Sequence, residues 1–182
     1  MTTWHAARRL ACFLLLAVPL DARAQARDGP RDFDFEIGAW RTELKRLVSP
    51  LSAPAVWAEY TGTTVVTKVW GGDANLVELD VTGARGHIRA LSLRLYDPAS
   101  KQWSLNFATS SSGAMAVPSV GGFRDGKGEF LSHEVVEGRM MLVRFEIIPL
   151  TADSIRFVQS VSADGGRTWM PNWVALDTRI KP

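Results

Sequence analysis

His133 and Glu134, in "SHEVV", are the one adjacent imidazole–carboxylate pair beyond residue 26. A histidine near a carboxylate can exchange a proton close to neutral pH. Neighbours in an extended strand point to opposite faces, so these two cannot act on each other. His133 would need an acid from another strand, with Arg144 as a possible anion partner, to serve an isomerase or hydrolase. Nothing in the sequence completes such a set, so no catalytic residue is assigned. His87 follows Gly86 at a strand start. Two separated histidines with neither H-x-H nor H-x-x-x-H spacing give no metal-ligand set. "SSSG" at Ser110 lacks the G-x-S-x-G frame of a hydrolase elbow. Gly71-Gly72 and Gly121-Gly122 precede no helix, so they cradle no phosphate.

"SADGGRTW", Ser162 to Trp169, matches the S-x-D-x-G-x-T-W Asp-box pattern found in sialidase-type propellers. Its physics is local. Asp164 caps the turn amides, the glycines accept positive φ, and Trp169 packs over the hairpin. Propellers repeat the unit blade by blade, and a single copy builds none. Asp164 and Trp169 therefore read as structural residues, not as a sugar-cleaving site.

The elements that would position these groups are strands. After residue 30, alternating segments broken by turn residues recur at the spacing of an all-β sandwich or barrel. Ile37–Val48, Trp57–Trp70 and Asn75–Val81 are the first three. "HIRALSLRLYDP" puts Leu91, Leu93 and Leu95 on one face, and "KQWSLNFAT" does the same with Trp103, Leu105 and Phe107. Hairpins at Asp125-Gly126, Glu137-Gly138 and Asp164-Gly165-Gly166 follow. Pro149 is expected to end the strand that begins "RMMLVRFEII". About ten strands joined by short turns favour an all-β, closed antiparallel up-and-down barrel, because closure removes exposed edges. A β-sandwich is the alternative.

Aromatic and methionine content exceeds what turns require. In a barrel of this size, inward residues either fill the lumen or line a pocket for one small ligand. The expected ligand-binding set is Trp103, Phe107, His133, Arg144, Phe157, Gln159, Asn172 and Trp173. Gln159 shares the face of Ile155, Phe157 and Val161, and a polar group on an apolar stripe needs a partner. Asn172, Arg144 or a ligand would supply one.

Gly38-Ala39-Trp40 after "FDFEI" resembles the Gly-x-Trp signature of the calycin barrels, the lipocalin-like and nitrobindin-like group. Residues 33–180 are also similar to a family of exported bacterial proteins sharing "LRLYDP…QW", "GEF" and "DGGRTW..NW". The resemblance implies a barrel fold and no particular activity. It also implies that Trp40 closes one end, with Arg179 of the last strand packed across it. Nitrobindin-like haem proteins add further glycines and a late histidine ligand. Here "RTELKR" follows Trp40 and no histidine follows His133, so neither haem nor any other cofactor is expected.

The chain opens with Arg8 and Arg9, an apolar run Leu10–Leu20 and small residues at Ala22, Ala24 and Ala26. This is the layout of a secretory signal, too short to span a membrane comfortably. We expect a signal peptide at 1–26 and one barrel domain at 27–182, periplasmic or secreted. Of 21 basic and 19 acidic residues, the signal holds three and one, leaving 18 of each and no net charge. No basic block points to nucleic acid, and no anchor to a membrane. With Cys12 removed, disulfides and thiolate chemistry are excluded. The expected protein is a monomer or weak homodimer binding a small hydrophobic or amphipathic molecule. A barrel enzyme and a ligand-free interaction scaffold are the competing expectations.

Overall fold

The computed structural model describes residues 29–51 and 53–181; the expected signal segment, with Cys12, lies outside the described residues. A 3-10 turn, Asp34–Glu36, precedes ten strands: β1 Gly38–Leu47, β2 Trp57–Val69, β3 Ala74–Gly83, β4 Gly86–Asp97, β5 Gln102–Thr109, β6 Ser119–Arg124, β7 Lys127–Val136, β8 Arg139–Thr151, β9 Ser154–Ser162 and β10 Met170–Arg179. Each pairs antiparallel with its neighbours in sequence, and β1 pairs with β10 to close the barrel. Trp40 lies opposite Arg179 and Arg46 opposite Trp173 across that seam. The sheet is one closed wall, so the two-layer sandwich does not form.

Side-chain parity follows from register. Counting from Trp40, the inward positions of β1 are Thr42, Leu44 and Arg46. Those of β10, counted from Arg179, are Asp177, Ala175 and Trp173. On β4 the inward set is Ile88, Ala90, Ser92, Arg94 and Tyr96. Leu91, Leu93 and Leu95 therefore share a face, but it is the outer one, where Leu91 is 37% exposed. Pro149 does not end β8. The strand continues to Thr151 through a register shift between Pro149 and Thr151, a bulge that tolerates the missing amide donor. The weakest seam is β5–β6, paired over only Trp103–Leu105, with residues 110–118 looping between the strands.

One end of the barrel is shut by the chain that leads into β1. Phe33 lies edge-on to Trp103 (centroids 4.8 Å apart) and to Phe123 (5.0 Å), and Phe130 is fully buried beside it. Such edge-to-face pairs add to plain apolar burial. The Trp103 indole N–H donates to the Gly29 carbonyl and to Asp32 Oδ2, both at 3.2 Å, so the buried polar atom is satisfied. The Trp40 indole donates to the Glu36 carbonyl at 2.7 Å. The Arg179 guanidinium stacks on the Trp40 ring at 4.0 Å and donates to the carbonyls of Phe35 (2.6 Å) and Ile37 (3.0 Å). One cation thus pins the 3-10 turn to the last strand.

Candidate functional site

Above this plug the barrel is hollow. A cavity of about 430 Å³ runs from a polar floor to an open mouth, inside the range of roughly 300–1,000 Å³ usual for small-molecule sites. Leu44, Val77, Leu105, Phe145, Phe157 and Ala175 form its shaft, with Phe107, Gln159 and Trp173 above them. At the mouth stand Arg46, Leu47, Pro50, Thr109 and Glu134. Arg46 lies 5.7 Å over the Trp173 ring. The Glu134 carboxyl is raised above the usual carboxylate range, because the rim strips part of its water; the Arg46 charge opposes this.

The floor is built from four strands and the plug. Arg94 of β4 grips Glu36 with two hydrogen bonds, 2.5 and 3.1 Å, and both side chains are almost wholly buried. The same guanidinium lies 4.3 Å over the Phe33 ring. Asp177 of β10 is 2% exposed. Burial pushes its carboxyl up to about 7; the Thr42 hydroxyl pulls it down, Glu36 adds to the rise, and Arg94 and Thr64 oppose it. Thr42 and Thr64 are themselves bonded, Oγ1 to Oγ1, at 2.6 Å. Asp177 Oδ1, Asn172 Oδ1 and Arg94 Nε have no hydrogen-bond partner among the described residues.

The sequence-derived binding set divides. Phe107, Phe157, Gln159, Asn172 and Trp173 line the cavity. Trp103 does not; it belongs to the plug. His133 pairs with Leu142 on the outer face and is exposed. Arg144 is also on the outside, stacked on Trp169 at 4.5 Å and 3.6 Å from Glu146. The reason is parity. In "SHEVV" the register sends Glu134 inward, and in "LVRFE" it sends Val143 and Phe145 inward. An acid–base centre using His133 and Arg144 is thereby removed from the lumen. Asp164 and Trp169 sit in the β9–β10 hairpin. There Asp164 Oδ1 accepts from the Thr168 amide (2.9 Å) and the Ser162 hydroxyl (2.8 Å). These bonds hold its carboxyl down at about 2.

Arg94, Thr42, Thr64 and Asp177 went unnoticed in the sequence because each looks like an outward polar residue on an alternating strand, and Glu36 because it lies just before the first strand. The signal was present: Trp40 and Arg179 face each other across the seam, and counting by twos from either reaches Thr42 and Asp177. Among the described residues no cluster of histidine and acidic side chains has the arrangement to hold a metal ion.

No protein-family model and no curated protein matches the chain. Solved structures do. The S-type phycobiliprotein lyase CPES from Guillardia theta superposes with a TM-score of 0.53 at 15% identity, covering 82% of this chain and 91% of that one. EF1p2_mFAP2b bound to DFHBI gives 0.45 at 8% identity, covering 83% and 98%. A de novo designed fluorescence-activating β-barrel gives 0.43 at 11% identity, covering 81% and 95%. At such identities the likeness to the lyase speaks of architecture alone, and the chain is a closed ten-strand antiparallel up-and-down barrel.

Proposed function

We propose that this protein is an exported binding barrel whose lumen takes one small amphipathic molecule. The observation that carries the reading is the cavity itself: aromatic side chains stuff one half of the barrel, yet about 430 Å³ is left between Leu44, Phe157 and Trp173. A fold with this much apolar side chain could have filled that space, and an unfilled core loses packing contacts. A ligand body of similar volume would restore them. The lumen-lining Ala90 and Ala175 keep the shaft wide. Export rests on the Arg8-Arg9, apolar-run and small-residue layout of residues 1–26. N-terminal sequencing of the mature protein from a periplasmic fraction tests it, and an intact Met1 refutes it.

The lumen is tested with N-phenyl-1-naphthylamine, a neutral dye that brightens in apolar surroundings. Saturable one-to-one binding is expected. Ala175→Phe and Ala90→Phe should each abolish it while leaving a cooperative thermal transition. Binding that ignores both substitutions, or no binding at all, overturns the reading.

A further inference from the structure

We propose that the occupant of the lumen is a cationic amphiphile, its apolar body along the shaft and its charged N–H head donating to Asp177 Oδ1 at the floor. The inference rests on the lumen-binding reading and adds the chemistry of the ligand. Its starting point is an orphan. Asp177 is 2% exposed, lines the cavity, and its Oδ1 has no hydrogen-bond partner among the described residues. A buried acceptor left unmade costs more than the net worth of one made bond, so a donor brought by a ligand would gain most at this atom.

Charge selects the kind of donor. The groups facing Asp177 are Glu36 from the plug, Arg94 from β4, and the hydroxyls of Thr42 and Thr64 from β1 and β2. Its inward neighbour on β9 is the apolar Ile155. Two carboxylates therefore stand against one guanidinium, and both terminal nitrogens of that guanidinium are committed to Glu36. Arg94 Nε is also without a partner among the described residues. Yet the floor carries one negative charge in excess once Asp177 ionises, so an anionic head at that depth would meet net repulsion. A neutral hydroxyl would satisfy the oxygen and leave the charge unbalanced. An ammonium does both, and charge-assisted bonds to a buried carboxylate are the strong ones. Farther up, Phe157, Gln159 and Trp173 are uncharged, while Arg46 and Glu134 offset each other at the mouth.

The geometry has a titration signature. Burial holds the Asp177 carboxyl at about 7, so it is partly protonated at neutral pH, and an arriving cation expels that proton. Calorimetry of decylamine at pH 7 in two buffers of different ionisation enthalpy should report release of about half a proton per ligand.

Decylamine, 1-decanol and decanoate, matched in chain length, are titrated at pH 8 and pH 5.5 into wild type and Asp177→Asn, with the naphthylamine dye as a lumen control. At pH 8 the amine should bind about tenfold or more tighter than either competitor, and the advantage should shrink at pH 5.5. Asp177→Asn should lose the preference while still binding decanol and the dye. The wild-type pH series and the proton count need no variant. Equal affinities, preference for decanoate, or a preference that survives Asp177→Asn would overturn the proposal in a protein that still takes up the dye. Failure of dye and all three amphiphiles would bring down the lumen reading with it.

Discussion

At the scale of single residues, Asp177 has two consequences for stability that need no ligand. Its carboxyl sits at about 7 in the fold against an ordinary value near 4 when unfolded. The folded state thus holds the proton more tightly, so this group favours folding while neutral and stops doing so as pH rises from about 4 through 7. Melting temperatures across pH 5 to 8 should fall for wild type. They should stay flatter for Asp177→Asn, which should be the more stable of the two at pH 8. A steeper fall in the variant would contradict the assignment. Trp40 is the opposite kind of residue, satisfied on every side: its ring is covered by Arg179 and its N–H is bonded to the Glu36 carbonyl. Trp40→Ala should cost about 3–5 kcal/mol, the usual range for emptying an aromatic core site. Chemical denaturation measures it, and a neutral effect would mean the plug is not held from this side.

Among the elements, the β9–β10 hairpin is stabilised by one carboxylate. Asp164 collects the Thr168 amide and hydroxyl and the Ser162 hydroxyl, and Gly165 and Gly166 take φ of 75° and 90°. The folded carboxyl is depressed to about 2, so its contribution is present above pH 4 and is lost as pH falls toward 2. Asp164→Ala should therefore lower the melting temperature at pH 7, and the gap from wild type should close in acid; a gap independent of pH would speak against the cap. This hairpin was legible in the sequence because all its partners lie within seven residues. Strand β4 was not. Its leucines suggest that the apolar face is the inner one. The barrel instead turns Arg94 and Ser92 inward, because the floor needs a counter-charge for Glu36, and leaves Leu91, Leu93 and Leu95 outside. Alternation marks a strand and its pitch, but not which face is inner when the lumen itself is partly polar. His133 and Arg144 face outward for the same reason, whereas Phe157, Gln159 and Trp173, on β9 and β10, face the lumen.

For the whole molecule, the wall is continuous but uneven. Ten residue pairs join β1 to β2, while three join β5 to β6. Opening that needs only a few ladder bonds broken is cheap relative to global unfolding. Amides of Ser119–Gly122 should exchange with deuterium faster than those of β2 and β3, and uniform protection around the barrel would show that the loop at 110–118 carries more of the closure than its pairing implies. The plug has a consequence for traffic. With Phe33, Trp103 and the Trp40–Arg179 stack sealing the far side, the barrel is a cul-de-sac. Whatever goes in must back out the way it came, and a second molecule can neither push from behind nor slip past. Exchange of a bound dye should then run at a rate that does not change with the concentration of its competitor.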